Sequence, residues 1–276
     1  MRARTRHLAY LRQLGGADDR DIDIAQAALA LAALDLPDTE IGPYRCHVEA
    51  LATGVAEAAP GAADLGAQIA AVHRSLFVRH AYRGDTESYD DVQNANLFRV
   101  IDRRRGLPVA LGILCIHAAR AQGWEIAGLN FPAHFLLRIT ASEGSAVVDP
   151  FDGARILEAD DLGRLYADIV GESGSFDPER IPVMGNRDVL LRLQNNIKLR
   201  ALRDGRAERA IEVLESMAAI APAIGRLWWE LAALLVQSGR LKRAIETLDA
   251  ALERAGTPAA RAEIESLLRR TRDSLN

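Results

Sequence analysis

The sequence predicts an α+β fold followed by an all-α repeat region. Apolar residues recur at helical spacing in residues 17–80, and strand-like alternation of apolar and polar residues is confined to residues 124–151. Residues 186–276 are again helical and repeat at a fixed interval. Aromatic residues make up only 5% of the chain, and the abundance of Ala and Leu favours helix over an all-β fold.

Composition excludes several classes of protein. The 276 residues suffice for one large domain or two ordinary ones with a sizeable core. A formal net charge of -4 argues against a strongly basic nucleic-acid-binding protein. The two cysteines, Cys46 and Cys115, are too few for a disulfide scaffold or a four-cysteine zinc site. No apolar run has the length of a membrane span or signal peptide, so we expect a cytoplasmic protein without a membrane partner.

The region up to about residue 88 is expected to form a helical N-terminal lobe. Three helical segments are predicted between residues 21 and 77, and a polar, turn-rich loop follows at 82–91. Asn94 or Asn96 can cap the next helix, which ends at Gly106.

A central helix and a hairpin are predicted next. Pro108 stands where a first-turn proline belongs, and the helix over 108–122 is apolar nearly all round, as buried helices are. A hairpin turn near residue 143 places His134 and Asp149 nearly opposite each other on neighbouring antiparallel strands. Such a pair is either a half-buried structural contact or a carboxylate that orients an imidazole for chemistry.

The C-terminal region repeats with a period of 34 residues. A turn glycine, a small alanine and a leucine recur in register: Gly205, Ala210 and Leu214, then Gly239, Ala244 and Leu248. This period is that of the tetratricopeptide repeat, although an ordinary pair of helical hairpins is the alternative. We predict two repeats and a capping helix over 258–274. The loop-like stretch from 171 to 186 then divides the chain into domains 1–185 and 186–276.

Five stretches carry a resemblance to a known family. They are residues 89–97, 103–111, 131–138, 149–153 and 192–198, and they include the motifs Gly-Leu-Pro at 106–108 and Phe-Pro-Ala-His-Phe at 131–135. Through them residues 20–260 resemble the transglutaminase-like superfamily, which has a papain-like core. The motifs resemble in particular those of the bacterial SirB-type group, whose members carry C-terminal tetratricopeptide repeats. Many members have Gly where this chain has Ala133.

The resemblance implies a triad that lacks its nucleophile. His134 and Asp149 match the base and its orienting carboxylate, whereas the nucleophilic Cys of active relatives aligns, from Gly106, with Pro108. Cys115 lies about 10 Å further along the predicted helix and in apolar surroundings, which raise a thiol pKa. We therefore interpret Cys115 as a buried structural residue.

Four further residues are candidates for binding. Tyr89, Asn94 and Asn96 either form caps and turns or line the His134 cleft as hydrogen-bond donors. Arg105 ends a short run of arginines that is either solvated or binds a phosphate or an acidic partner. We interpret Cys46 and His47 as structural or surface residues, and we expect slow alkylation of both cysteines. The spacing of the six histidines suggests no metal site, and no cofactor motif occurs.

Three functions are compatible with these features. The leading hypothesis is a non-catalytic protein whose cleft and repeat groove bind a peptide or protein partner. The competing hypothesis is a hydrolase or acyltransferase that uses His134 and Asp149 without a protein thiol, for instance by activating water. The third is regulation of gene expression through a partner, which only the group's name suggests. No nucleic-acid partner is expected, and the oligomeric state is left open.

Overall fold

The computed structural model describes residues 2–61, 64–132, 134–171 and 177–274. The chain forms two compact units, one made of Met1–His7 with Asp18–Leu193 and the other of Leu8–Ala17 with Gln194–Asn276. The division therefore falls inside a helix, whereas the sequence places a domain boundary at residue 185. That boundary remains a prediction about which segments fold independently.

Several helices of the first unit pack on one buried central helix. Asp23 caps the helix Ile24–Asp35 and Asn96 caps the helix Leu97–Arg103 by accepting backbone N–H groups, whereas the helix Leu65–Val72 continues as wider helical turns over His73–Arg79. The segments are α1 (Arg2–Gly15), α2 (Ile24–Asp35), α3 (Gly42–Ala58), α4 (Leu65–Val72), α5 (Leu97–Arg103), α6 (Pro108–Arg120) and α7 (Ala159–Val170). Helix α1, most of which belongs to the second unit, was not predicted, because its arginine-rich sequence lacks a broad apolar face.

Helix α6 is the predicted central helix. It is buried from Pro108 to Ile116 and packs on the sheet as well as on α2 and α3. Gly112 permits this approach, since a Cβ atom there would collide with the ring of Phe135 in the strand His134–Ala141. Proline as the first residue suits the helix start, because the first-turn N–H groups have no intrahelical partner.

Within the described residues, five strands form one antiparallel sheet: β3 (Glu125–Phe131), β4 (His134–Ala141), β5 (Gly144–Asp149), β6 (Arg155–Leu157) and β7 (Val183–Met184). Their order across the sheet is β6-β5-β4-β3-β7. A short parallel contact joins β1 (Arg83–Gly84) to β2 (Arg105–Gly106). The hairpin pairs Ala141 with Gly144, close to the predicted turn. The edge strands β6 and β7 were not predicted, because two or three residues are too short for a visible alternation.

The second unit contains the predicted repeats. Besides the larger part of α1, its helices are α8 (Asn186–Arg203, of which residues from Gln194 onward belong to this unit), α9 (Ala207–Ile220), α10 (Gly225–Gln237), α11 (Leu241–Glu253) and α12 (Pro258–Asp273). Gly205 and Gly239 adopt φ of 69° and 71° between the helices, a left-handed conformation that favours glycine. Ala210 and Ala244 are fully buried, as the repeat register predicts.

Candidate functional site

The side chains of His134 and Asp149 meet at one end of the sheet. Nε2 of His134 lies 2.9 Å from Oδ2 of Asp149, and Oδ1 of Asp149 accepts the backbone N–H of Phe151 at 2.8 Å. His134 begins β4 and Asp149 ends β5, so the hairpin brings them together as their spacing predicts. When the imidazole is neutral and donates through Nε2, its Nδ1 atom carries the lone pair. This arrangement supplies a base with an orienting carboxylate.

An aromatic pair, Tyr89 and Phe151, stands beside this carboxylate, and Tyr89 is its exposed member. The ring of Tyr89 lies edge-on to that of Phe151, with centroids 5.8 Å apart, and Tyr89 remains 43% exposed. Gly84 lies directly against the Phe151 ring, where any Cβ atom would collide with it. Because the backbone N–H of Phe151 is also hydrogen-bonded to Asp149, the aromatic pair lies directly beside the His134–Asp149 pair.

The loop that carries Tyr89 is held by a buried polar network. Asp85, 1% exposed, accepts the backbone N–H and hydroxyl of Ser88 at 2.9 and 2.8 Å, and Nη2 of Arg103 at 2.7 Å. Burial alone would raise the pKa of Asp85, but the hydrogen bonds outweigh it and lower the pKa to about 2. Sequence inspection missed Asp85, because its partners approach only when the loop folds back on β2.

Asn94 belongs to the same network. It is fully buried, its Nδ2 donates to the Ser88 carbonyl at 2.7 Å, and its Oδ1 accepts from Arg103 at 3.0 Å. Its backbone carbonyl accepts the N–H of Leu107, the residue that precedes α6. Asn94 is therefore a buried turn residue with no exposed surface, and the cap of α5 is Asn96.

Asn96 and Arg105 lie elsewhere in the unit. Asn96 caps α5 and donates Nδ2 to the Ala32 carbonyl at 3.3 Å and to Asp35 at 3.2 Å, so it tethers α5 to α2. The Arg105 side chain, 27% exposed, donates to Glu87 at 2.6 Å. Of the four candidates for binding, the structure thus places Tyr89 beside the aromatic residue that donates to Asp149.

The residue that the resemblance assigns to the nucleophile position differs from the buried thiol of the same helix. Pro108 is the buried first residue of α6. Cys115 is fully buried in the same helix, and burial raises the pKa of its thiol. Cys46 is exposed, so of the two alternatives for this residue the structure favours the surface position. Ala133, where many relatives have Gly, lies outside the described residues.

A second polar cluster lies apart from the His134–Asp149 pair. Nε2 of His47 lies 2.9 Å from the hydroxyl of Tyr82, which also accepts Nη1 of Arg104 at 2.8 Å. Burial, with the Arg104 charge, lowers the pKa of His47 to about 4, and burial raises that of Tyr82 to about 12. At pH 7 His47 is therefore neutral and Tyr82 protonated, which fits the structural interpretation of His47.

The part of the chain that the structure describes lacks two kinds of feature, a membrane-spanning helix and a metal-binding cluster. No helix there is long and apolar enough to cross a bilayer. No cluster of three or more His, Cys, Asp or Glu side chains there has the arrangement of a metal site.

Comparison with known proteins supports the architecture. The model of the transglutaminase-like superfamily matches residues 43–195, more than half of the chain, and a tetratricopeptide-repeat model matches residues 201–271. A UPF0162 protein of Xylella fastidiosa is 28% identical over 218 residues, 78% of each chain. A UPF0162 protein of Vibrio cholerae is 28% identical over 70% of this chain and 73% of its own. F-box only protein 21 of Mus musculus is 32% identical over 30% of this chain and 13% of its own. No solved structure matches.

Proposed function

Because the chain belongs to the transglutaminase-like superfamily, we propose that it is a non-catalytic member that binds a peptide segment of a protein partner. The His134–Asp149 pair and the Tyr89–Phe151 aromatic pair form one contact surface, and the tetratricopeptide repeats form another. Repeats of this class present extended surfaces on which partner segments dock. The observation that carries the proposal is Pro108 as the first residue of α6, the position that the sequence resemblance assigns to the thiol of active relatives.

The absence of a nucleophile at this position has a chemical consequence. The proline side chain is a hydrocarbon ring and cannot attack an acyl group. Within the described part of α6 the thiol is that of Cys115, which is fully buried and whose raised pKa keeps it protonated at neutral pH. The base retained in His134 therefore has no protein thiol in this helix to activate.

The surface beside the pair is suited to a peptide with an apolar side chain. Tyr89 exposes 43% of its surface, yet its loop is anchored by Asp85 and Asn94, which are buried. An exposed aromatic ring held in place contributes contact area at a small cost in conformational entropy. This supports Tyr89 as a contact for an apolar side chain of the partner.

The repeat region offers a second apolar contact. Leu199 and Leu202 on α8 are 55% and 40% exposed. They are three residues apart and so lie on the same helix face. Two neighbouring exposed leucines are suited to the apolar face of a partner segment.

The test is capture by the intact chain followed by titration. Immobilised wild type is exposed to lysate of the source cells, and the stoichiometric partner is identified by mass spectrometry. The affinity of this partner is then measured for Tyr89→Ser and for the double variant Leu199→Ser/Leu202→Ser.

The matched control is Val78→Ser, which changes an apolar residue that is 62% exposed in the helical lobe. We expect the control to bind like wild type and each of the other variants to lose about tenfold in affinity or more. Equal affinity of all variants, or no stoichiometric partner, would contradict the proposal.

The intact His134–Asp149 hydrogen bond favours a second candidate, a hydrolase or acyltransferase that activates water. In this candidate the Nδ1 lone pair of His134 removes a proton from a water molecule that attacks an ester or amide. The experiment is turnover of a broad ester and amide library by wild type and by His134→Ala. Product formation that requires His134 would favour this enzyme over the binding protein.

A further inference from the structure

Arg192 contacts the backbone of the strand that carries His134. Its Nη2 atom donates to the carbonyl of His134 at 2.6 Å and to that of Phe131 at 3.2 Å. Phe131 and His134 are the last register pair of β3 and β4, so one guanidinium joins the ends of two strands. The same guanidinium carbon lies 5.8 Å from the centroid of the Phe135 ring.

The environment of Arg192 makes these contacts strong and directional. The side chain is only partly exposed, and burial lowers its pKa, yet a guanidinium remains charged at neutral pH. A charged donor shielded from water forms stronger hydrogen bonds than a neutral one. Its planar shape allows simultaneous contact with two carbonyls and an aromatic face.

His134 is thereby held at both ends. Asp149 fixes the imidazole through Nε2, whereas Arg192 fixes the backbone from which the imidazole extends. A side-chain hydrogen bond persists only where the backbone beneath it keeps its position, since small displacements misalign donor and acceptor. Arg192 is also the first residue of 192–198, one of the stretches that carry the family resemblance and one to which no role was assigned from the sequence.

We infer that Arg192 is a positioning residue for His134: it clamps the end of the β3–β4 hairpin so that the imidazole stays bonded to Asp149. The inference deepens the proposed contact surface, because it explains how this surface keeps its shape without a bound partner. Arg192 acts through His134 and has no assigned contact with a ligand.

The test is NMR of the ligand-free intact chain, with Nε2–H of His134 as the signal. This proton is observable while it is hydrogen-bonded to Asp149 and exchanges with water when the bond opens. We expect Arg192→Met to raise its exchange rate about tenfold or more, the factor that corresponds to loss of a hydrogen bond to a charged group. The matched control is Arg138→Met, since Arg138 also lies on β4 and donates to a backbone carbonyl, that of Ile181, at 3.3 Å. We expect the control to leave the His134 signal unchanged.

A conservative variant keeps the test decisive if Arg192→Met does not fold. Arg192→Lys retains the charge but replaces the planar guanidinium by a single ammonium, so we expect an exchange rate between those of wild type and Arg192→Met. An unchanged His134 exchange rate in the folded Arg192 variants, or an equal rise in Arg138→Met, would overturn the inference. The measurement involves no partner, so a failure of partner binding and a failure of positioning are distinguishable.

Discussion

Nε2 of His134 lies 2.9 Å from Oδ2 of Asp149, although the two residues are not direct partners across the strands. The register pairs Leu137 with Val148, so its continuation places Asp149 opposite Leu136. His134 is two residues from Leu136 and therefore on the same face of the sheet. The hydrogen bond is thus a diagonal contact, which the lengths of the two side chains allow.

Removal of this carboxylate should destabilise the protein. In Asp149→Ala the imidazole of His134 and the N–H of Phe151 lose their acceptor in a mostly buried place, and we expect a loss of about 1–3 kcal/mol in the free energy of unfolding. Urea unfolding at pH 7 measures it. The control Asp152→Ala removes an exposed partner of Arg155 and should cost less than about 0.5 kcal/mol. Equal losses would show that the pair contributes no more than a surface charge.

A larger residue at the repeat crossing should overpack it. Ala244 is fully buried in α11, and Ala244→Leu should cost about 1–3 kcal/mol in the free energy of unfolding. Ala259 is exposed on α12, so Ala259→Leu serves as the control and should leave the melting temperature nearly unchanged. An unaltered melting temperature of Ala244→Leu would mean that the repeat register is wrong.

Acid should weaken the anchor of the Tyr89 loop. The folded-state pKa of Asp85 is about 2, below its ordinary value near 4, so its stabilising contribution is complete above pH 4 and disappears as the pH falls from about 4 to 2. We expect the stability difference between wild type and Asp85→Asn to shrink by about 1–2 kcal/mol between pH 6 and pH 2. Denaturant unfolding of both proteins across that range measures it. A constant difference would mean that the carboxylate has the same pKa in both states.

The two thiols should differ in reactivity. Cys46 is exposed, whereas Cys115 is fully buried with a raised pKa. Iodoacetamide at neutral pH should therefore modify one residue of the folded chain, Cys46, and both residues in denaturant. Intact-mass spectrometry counts the modifications. Rapid alkylation of Cys115 in the folded chain would contradict its burial.

A thiol placed at the helix start should become reactive. In Pro108→Cys the new side chain occupies the first turn of α6, where the helix dipole lowers a thiol pKa and where the resemblance places His134 close by. We expect its alkylation to be about tenfold faster than that of Cys115, which lies further along the same helix, and to slow in Pro108→Cys/His134→Ala. Equal rates in the single and double variants would contradict the assignment of Pro108 to the nucleophile position.

Local patterns sufficed for the core of the fold. The uniform apolarity of residues 108–116 indicated the central helix, and the turn near residue 143 gave the register that brings His134 to Asp149. The period between Ala210 and Ala244 gave the repeats. Each of these signals depends on residues that are close in sequence or on a repeated spacing.

Contacts between distant segments could not be predicted in this way. Asn94 carries a cap-like sequence signal, but its burial results from Ser88 and Arg103 closing over it. Arg192 lies 58 residues from His134 in sequence, and only the folded chain brings its guanidinium to the hairpin. Such partners have no local signature, because their types and spacings are ordinary.

A non-catalytic protein leaves its bound partner chemically unchanged. Wild type and His134→Ala are incubated with the isolated partner, and intact-mass spectrometry follows both proteins. We expect the partner to bind to wild type and to be recovered with its mass unchanged, at every time point and with either protein. Cleavage or acyl modification of the partner by wild type, absent with His134→Ala, would contradict the claim that the superfamily's chemistry has been lost here.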